Sequence, residues 1–318
     1  MKKRRIVVAL GGNAILAADA TAQAQQTALK KTAQQLVQLI ERGDELIITH
    51  GNGPQVGNLL LQHAASHSEK NPAFPLDSLV AMTQGSIGYW LQNALQNALR
   101  EKQIDKPVVS VVTQIVVNPD DPAFDEPTKP IGPFYTQEQA QHEMAQTNAI
   151  FKEDSGRGWR KVVASPKPQA IQELLAIETL LEAGQVVIAG GGGGVAVVQN
   201  ADGTLTGVEA VIDKDFASQR LAELVKADVF IILTGVDYAY LNFNQANQEA
   251  IEAVDTDTLA RYIQAGHFAP GSMLPKVEAT LAFAENCPES YAVITSLEQL
   301  EQFISTETGT RIRKTQDF

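Results

Sequence analysis

The sequence is poor in cysteine and in positive charge, and both shortages argue against classes of function. The single cysteine, Cys287, can form neither an internal disulfide nor a cysteine-rich metal site, which predicts a protein of the reducing cytoplasm. The 318 residues include 25 lysines and arginines against 37 acidic residues, a formal net charge of −12. Because contacts to nucleic-acid phosphates require clustered lysine and arginine, we expect no nucleic-acid partner.

Long apolar runs are also missing. No stretch approaches the ~20 apolar residues of a membrane-spanning helix, so we expect no membrane partner. The N-terminal MKKRRIVVAL begins like a secretory signal, but its apolar run stops at Gly11, which predicts a first strand instead. Hydrophobic residues make up 44% and charged residues 19%, near the averages of globular proteins. The length allows a single large domain over residues 1–318.

Several catalytic motifs are absent as well. The five histidines form no HExxH or Cys/His pattern, so no residue is nominated as a metal ligand. Ser86 in QGSIG and Ser272 in PGSML do not reproduce the G-x-S-x-G turn of hydrolases. The Walker A pattern G-x-x-x-x-G-K-[ST] is missing, which excludes a kinase of the P-loop class.

The sequence does contain three apolar segments with glycine turns. They are IVVALGGN at 6–13, LIITHGNGPQVG at 46–57 and VVIAGGGGGVAVV at 186–198. Glycine has no Cβ, so these turns can lie directly against a ligand. In an open α/β sheet, the ends of such strands line the crevice where ligands bind. The helix predicted after Gly-Asn-Gly adds free N–H groups, which favour an anion.

Strands and helices alternate along the chain, which predicts an α/β fold with a mainly parallel sheet covered by helices on both faces. Apolar runs predict further strands at 45–49, 108–117, 161–168, 228–234 and 291–295. Helical spacing predicts helices at 22–42, 56–65, 76–100, 169–183, 256–264 and 274–284, and another that ends at Val225.

The character of the sequence changes from Asn118 to about Arg160, where five prolines crowd a short span. Proline cannot donate to a sheet ladder or continue a helix, so this segment is not expected to supply core strands or helices. We predict that residues 118–160 form a small subdomain, inserted into the single domain and protruding from its sheet. Lys129 lies here, in PTKPIG, where a stiffened loop can hold a charge over a cleft.

Three lysines, Lys129, Lys214 and Lys276, are candidates for binding a phosphoryl group. Phosphoryl transfer requires mainly positive charge and N–H donors around the moving group. Lys214 lies between Asp213 and Asp215 after an apolar strand, where a carboxylate can hold an ammonium group. Lys276 lies at a predicted helix start, where the helix dipole disfavours a cation unless an anion offsets it.

Seven segments together resemble the carbamate kinases of the amino acid kinase superfamily, and they occur in that family's order. They are ALGGNA (9–14), THGNGPQVG (49–57), PTKPIG (127–132), GRGWRKVVASPKP (156–168), GGGGG (190–194), VIDKD (211–215) and GSMLPKVEA (271–279). The resemblance extends from the first strand to near the end of the chain. It implies an open three-layer αβα sandwich around a mainly parallel sheet of about eight strands, a small protruding subdomain and a homodimer.

The resemblance also implies a reaction, reversible phosphoryl transfer between ATP and carbamate. In the catabolic direction, in the breakdown of arginine or related compounds, carbamoyl phosphate and ADP give carbamate and ATP, with Mg²⁺ bound mainly through the nucleotide phosphates. Lys129, Lys214 and Lys276 would neutralise the transferred group, and Asp215 would orient lysines. The other implied site residues are Gly11, Gly12 and Asn13 at the phosphoryl group, Gly51, Asn52 and Gly53 at the carbamate end, and Lys214, Val236, Asp237, Tyr240, Met273 and Lys276 at the nucleotide.

One position, Ala9, selects a branch of the superfamily, and other positions, including Ala164 and Leu274, depart from the commonest residues of the family. Ala9 stands where several members that phosphorylate carboxylates have a lysine, so Lys129 is the expected source of that charge. Tyr238 stands where a basic residue is expected, and no Gly-Lys-Pro follows Phe243, which bears on nucleotide affinity. Two alternatives stay open: a kinase for another small carboxylate, and a catalytically quiet paralogue that binds nucleotide or carbamoyl phosphate.

Overall fold

The computed structural model describes residues 3–15, 21–154 and 156–314. The strands in these ranges are β1 (Arg5–Leu10), β2 (Glu45–His50), β3 (Val108–Ser110), β4 (Gln114–Val117), β5 (Lys129–Tyr135), β6 (Ile150–Glu153), β7 (Trp159–Val163), β8 (Pro168–Ile171), β9 (Val186–Ile188), β10 (Val195–Gln199), β11 (Leu205–Gly207), β12 (Val229–Thr234), β13 (Ala239–Leu241), β14 (Glu249–Ile251), β15 (Ala253–Asp255), β16 (Tyr291–Ser296) and β17 (Thr310–Arg313). The helices are α1 (Gly12–Ile15), α2 (Ala22–Glu41), α3 (Gly53–Ser66), α4 (Leu76–Glu101), α5 (Gln137–Gln146), α6 (Leu174–Glu182), α7 (Lys214–Leu224), α8 (Thr256–Gln264), α9 (Leu274–Asn286) and α10 (Leu300–Thr306). Of the helices in these ranges, none is long and apolar enough to cross a bilayer.

Eight strands form the central sheet, in the order β15-β17-β16-β12-β1-β2-β9-β3. Neighbouring strands are parallel except β16 and β17, which pair antiparallel. The inner strands are apolar along nearly their whole length because both of their faces are covered; the side chains from Ile6 to Leu10 are fully buried. The predicted mainly parallel sheet of about eight strands is confirmed.

Helices cover both faces of this sheet. Successive side chains of a strand point to opposite faces, so β1 contributes to two cores. Val7 and Ala9 belong to the core that includes buried residues of α6, α7, α8 and α9. Ile6 and Val8 belong to the core that includes buried residues of α2, α4 and α10. The predicted three-layer αβα arrangement is therefore confirmed.

The strand predicted at 108–117 is wrong as a single element. The run breaks at residues 111–113. Before the break, β3 is the edge strand of the central sheet. After it, β4 pairs in parallel with β10 in a second sheet of order β11-β10-β4-β8. At the break, the side chain of Gln84 accepts from the N–H of Thr113 at 2.8 Å and donates to its carbonyl at 3.1 Å. The same carbonyl also accepts from the N–H of Val195, the first residue of β10, at 2.9 Å, so the backbone of Thr113 is bonded both to a side chain and to the second sheet.

The helix predicted over 169–183 begins later, at Leu174. Residues 168–171 instead form β8, an edge strand that pairs antiparallel with β4. Pro168 is tolerated there because an edge strand has one side that needs no donor.

The proline-rich segment contains a small sheet of its own. β5, β6 and β7 pair antiparallel in the order β5-β7-β6, and α5 follows β5 with a capping box. β5 accommodates prolines because it is an edge strand, and its pairing with β7 shifts between Ile131 and Tyr135, around Pro133. The strand predicted at 161–168 instead spans Trp159–Val163, as the middle strand of this sheet. The limits 118–160 of the inserted unit stay a prediction.

Candidate active site

The first glycine turn joins β1 to α1. Gly11 donates its N–H to the carbonyl of Leu233, at the end of β12, at 2.9 Å. A Cβ on Gly11 would collide with that carbonyl, so glycine allows this close approach. Gly12 begins α1, and the side chain of Asn13 lies outside the described part of the structure.

The five glycines at 190–194 form a tight turn between β9 and β10. Gly192 and Gly193 have φ of 67° and 88°, a backbone region that side chains disfavour. A Cβ on Gly192 would collide with the amide of Asn52, and a Cβ on Gly193 would collide with the carbonyl of Ile212. The glycines are therefore needed because the turn packs directly against the residues before α3 and α7.

The second glycine turn leads into α3. Asn52 is 3% exposed, and its Nδ2 donates to Thr83 Oγ1 at 2.8 Å. Gly53 begins the 14-residue α3, whose first N–H groups have no partner within the helix. Beside this turn, His50 is buried, with Nδ1 2.8 Å from the carbonyl of Gly51. Burial lowers the pKa of His50 to about 4, so the ring is uncharged at neutral pH.

Asp215 holds two lysines from different helices. Its Oδ1 lies 2.8 Å from Lys214 Nζ at the start of α7, and its Oδ2 accepts from Lys276 Nζ in the first turn of α9, also at 2.8 Å. The carboxylate is only 4% exposed. Burial by itself raises the pKa of Asp215, but the two ammonium groups outweigh burial and lower it to about 2. Asp215 is therefore ionised and fixes the positions of both positive charges.

Lys214 is the more buried of these two lysines, at 13% side-chain exposure against 16% for Lys276. Burial lowers the pKa of Lys214, and the charge of Asp215 opposes that change. Its Nζ pairs with Asp215 Oδ1 at 2.8 Å, which occupies one of the three N–H donors of an ammonium group. Its other N–H donors therefore remain for a ligand.

Lys129 brings a third positive charge from the sheet of β5, β7 and β6, which we call the subdomain sheet. It is the first residue of β5, and its Nζ donates to Asp213 Oδ2 at 2.6 Å. Asp213 is also the N-cap of α7, where its Oδ1 accepts from the N–H of Asp215 at 2.9 Å. The three lysines thus meet through two neighbouring carboxylates.

A cavity of about 380 Å³, which we call the phosphate cavity, lies between the glycine turns and the lysines. The predicted residues that line it are Gly12, Gly51, Asn52, Gly53, Lys129, Lys214, Asp215 and Lys276. Gly11 is not part of the lining. Glycine backbone and three ammonium groups in one cavity suit an anion with several oxygens.

A second cavity of about 360 Å³, which we call the nucleotide cavity, adjoins the first. Both cavities are lined by Gly271, Ser272 and Lys276. Among the predicted nucleotide residues, Val236, Tyr240 and Met273 line the nucleotide cavity. Asp237 and Lys214 do not; Asp237 accepts a hydrogen bond from Gln299 Nε2 at 3.4 Å, and Lys214 lies in the phosphate cavity.

Comparison with known proteins identifies the family. The model of the amino acid kinase family matches residues 4–295. Carbamate kinase 1 of Enterococcus faecium is 57% identical over 312 residues, covering 98% of this chain and 99% of that protein. The carbamate kinase of Lentilactobacillus hilgardii is 56% identical over 313 residues, covering 98% of each protein. The chain belongs to the carbamate kinases of the amino acid kinase family.

A solved structure agrees with this assignment. The carbamate kinase from Giardia lamblia, bound to AMP-PNP, superposes with a TM-score of 0.92 at 37% sequence identity, covering 98% of this chain and 99% of that one. The family predicted from the seven sequence segments is therefore confirmed, and so is the fold. The roles of individual residues stay predictions.

The structure brings further residues to this kinase's cavities that sequence analysis did not select. Asp213 lines the phosphate cavity, and its place in VIDKD beside Lys214 was a usable signal. Phe243 lines the nucleotide cavity, with its ring 5.9 Å from that of Tyr240. His267 and Phe268 also line it, and neither belongs to a pattern that sequence reasoning recognises.

Proposed function

We propose that the protein catalyses reversible phosphoryl transfer between carbamoyl phosphate and ADP, with carbamate and ATP as the products. The observation that carries the proposal is the convergence of Lys129, Lys214 and Lys276 on one cavity with glycines from all three glycine turns. That cavity shares Lys276 with an apolar cavity that suits an adenine nucleotide. Relatives with the name carbamate kinase match the chain over nearly its whole length, which supports the same activity.

The transferred phosphoryl group would lie between the two cavities. In this arrangement the carbamate end of the substrate contacts the turn formed by Gly51, Asn52 and Gly53, and ADP enters from the nucleotide cavity. The three lysines offset the charge on the phosphoryl oxygens, and Lys276, at the border, reaches both substrates. The AMP-PNP in the Giardia lamblia structure supports a nucleotide as one of them.

The reaction would need no general base from the protein. When ATP is formed, an oxygen of the terminal phosphate of ADP attacks and carbamate leaves; in the reverse direction the carbamate oxygen attacks. Both nucleophiles are anionic oxygens, so catalysis consists of positioning the two substrates and stabilising charge on the moving group. Asp215 does not act as a base in this scheme, because both of its oxygens face ammonium groups and its pKa of about 2 makes it a weak proton acceptor. Its role is to orient Lys214 and Lys276.

Magnesium would reach the site with the nucleotide. In the described ranges, no three histidine, cysteine or acidic side chains are grouped so that they could hold a metal ion. The carboxylates in the phosphate cavity, Asp213 and Asp215, are engaged by lysines. Mg²⁺ prefers oxygen ligands and commonly binds to substrate phosphates, so the nucleotide would supply most of its ligands and the ion would offset phosphate charge.

We also propose a homodimer formed through α4 and the edge strand β3. Met82 and Tyr89 lie seven residues apart on α4 and are 42% and 62% exposed, and Val112, just after β3, is 51% exposed. Large apolar side chains grouped at a sheet edge are typical of a protein interface. Sedimentation at several protein concentrations should give twice the chain mass, and Tyr89→Asp should shift the distribution toward one chain.

The proposed cellular setting is the cytoplasm, where Cys287 stays reduced and ADP is available. A reaction that forms carbamoyl phosphate, as in arginine breakdown, would supply the substrate. The enzyme would then convert the phosphoryl group of that compound into ATP.

The direct test is ATP formation from ADP, Mg²⁺ and fresh carbamoyl phosphate, corrected for the spontaneous breakdown of carbamoyl phosphate. Acetyl phosphate, whose leaving group is the carboxylate acetate in place of carbamate, is the matched alternative phosphoryl donor. We expect carbamoyl phosphate to be used at least about tenfold faster, by kcat/KM. A preference for acetyl phosphate would indicate a different small carboxylate as the acceptor, and nucleotide binding without turnover would indicate a catalytically quiet paralogue.

A further inference from the structure

Asp213 connects the subdomain to the buried lysine pair. One carboxylate oxygen accepts from the N–H of Asp215 at the start of α7, and the other accepts from Lys129 Nζ at 2.6 Å. The same side chain therefore fixes the start of the helix that carries Lys214 and contacts the only lysine that reaches the phosphate cavity from the subdomain sheet, among the lining residues that the structure describes.

The negative charge of Asp213 is unexpected in a cavity that receives phosphate. A carboxylate there repels the phosphoryl oxygens. The helix does not need this charge, because asparagine and serine cap helices about as well as aspartate. The charge therefore has a purpose other than capping, and its partner on the opposite side is Lys129.

Lys129 needs such a partner more than the other two lysines do. Its side chain is 31% exposed, whereas those of Lys214 and Lys276 are 13% and 16% exposed and share Asp215. A lysine on a flexible four-carbon stem would otherwise adopt many positions in solvent. The contact with Asp213 keeps its ammonium group at the cavity before any substrate binds.

We propose that Asp213 is a positioning residue for Lys129: it holds the ammonium group at the phosphate cavity until the transferred phosphoryl group takes over part of the contact. This inference rests on the proposed phosphoryl transfer. It assigns no contact between Asp213 and the reacting atoms. It predicts that the effect of the Asp213 charge on the rate of ATP formation depends on whether Lys129 is present.

A second ion pair provides a matched control. Lys161 on β7 and Glu209 in the segment after β11 also meet at 2.6 Å, and the Lys161 side chain is 27% exposed, close to the value for Lys129. Neither Lys161 nor Glu209 lines the phosphate cavity. A change to this pair removes a contact of the subdomain sheet without altering the charge at the phosphoryl group.

The test is a double-mutant cycle with Asp213→Asn and Lys129→Ala, measured by ATP formation from carbamoyl phosphate and ADP. In the wild-type background, Asp213→Asn should lower kcat/KM for carbamoyl phosphate about tenfold because Lys129 is no longer held. In the Lys129→Ala background, the same change should raise kcat/KM for carbamoyl phosphate several-fold, because it removes an unpaired negative charge facing an anion. Glu209→Gln should stay within about twofold in both backgrounds.

The reversal of sign distinguishes positioning from a structural role. The inference would be overturned if Asp213→Asn lowered kcat/KM equally in both backgrounds, or if it did not lower kcat/KM in the wild-type background. Neither result would contradict the proposed reaction. If the wild-type protein formed no ATP from carbamoyl phosphate, the proposed reaction would be wrong, and so would the inference that rests on it. Asn retains the cap on α7, and Asp213→Ser is the second variant if Asp213→Asn unfolds at a lower temperature than the wild type.

Discussion

The phosphate cavity and the nucleotide cavity are nearly equal in volume and share a wall, but their linings have opposite chemistry. The phosphate cavity combines three lysines and two carboxylates with glycine backbone. The nucleotide cavity is lined mainly by aromatic and other apolar groups, among them Tyr240, Phe243 and Phe268. Charges aimed at a moving phosphoryl group act mostly in the transition state, whereas apolar contacts bind the substrate and the transition state alike. We therefore expect the first cavity to set kcat and the second to set KM for ADP.

The largest effect is expected for Asp215→Asn, which tests whether the phosphate cavity sets the rate. The change removes the charge that holds Lys214 and Lys276 together, so kcat should fall about 1,000-fold while KM for ADP changes only a few-fold. Steady-state kinetics of ATP formation measures both values. Glu285→Gln, at the far end of α9, is the control. A loss below about tenfold would show that the lysines keep their places without Asp215.

The next largest effect concerns the turn at 190–194, in which Gly192 lines the phosphate cavity and Gly193 follows it. Gly193 has φ of 88° and would collide with the carbonyl of Ile212 if it carried a Cβ, whereas Gly203 has φ of 85° and open space around it. Each change to alanine should cost about 1–3 kcal/mol of unfolding free energy from backbone strain. Only Gly193→Ala should also lower kcat, by about 100-fold, because it displaces the turn.

Denaturant unfolding and ATP formation, measured on both glycine variants, test this prediction. Equal losses of activity in Gly193→Ala and Gly203→Ala would mean that the turn at 190–194 has no special place in catalysis. Normal activity in both would mean that the segment between Ile212 and Asp215 adjusts to the extra carbon.

A smaller effect is expected for Tyr240→Ala, which tests the nucleotide cavity. The side chain lines that cavity and packs near Phe243, so its loss should raise KM for ADP about tenfold and leave kcat within about threefold. KM for carbamoyl phosphate should not change. A fall in kcat as large as the rise in KM would show that the two cavities do not act separately.

The smallest effect on activity is expected at His50, which lies behind the phosphate cavity. Its pKa is about 4 in the folded protein and about 6.5 in the unfolded chain, so the unfolded chain binds more protons between these values. The contribution of the neutral ring to the free energy of unfolding is complete above pH 6.5 and is lost as the pH falls toward 4. Between pH 7 and pH 5 this loss should be about 2 kcal/mol.

Denaturant unfolding at pH 7 and pH 5 should detect the contribution of His50. His50→Asn should be less stable at pH 7 but should lose about 2 kcal/mol less between the two pH values than the wild type. The same pH dependence in both proteins would assign the acid sensitivity to other groups.

Sequence reasoning was most successful where function depends on local patterns. The glycine turns and the three lysines were found from their local sequence: a missing Cβ in the turns, a proline-stiffened loop at Lys129, the end of an apolar strand at Lys214 and a helix start at Lys276. Contacts that form only through the fold were missed. Lys129 and Asp213 are 84 positions apart, and His267 joins Tyr240 in one cavity through the packing of separate loops.

The strands of the fold also differ in whether local sequence could predict them. The central strands are apolar runs and were predicted, but the break between β3 and β4 was not, because the single run at 108–117 continues through it. At the break, the backbone of Thr113 bonds to Gln84 of α4 and to Val195 of β10, and neither partner is visible in the run itself. β13, β14, β15 and β17 have only three or four residues each, too few for a period to be recognised.

The most direct test of the central claim compares Lys129→Ala with Lys161→Ala in ATP formation from carbamoyl phosphate and ADP. Both lysines form 2.6 Å ion pairs from the subdomain sheet and are similarly exposed, but only Lys129 lines the phosphate cavity. The account predicts that Lys129→Ala lowers kcat at least ~100-fold and that Lys161→Ala stays within about twofold of the wild type. Near-normal turnover by Lys129→Ala, or equal losses in both variants, would contradict it.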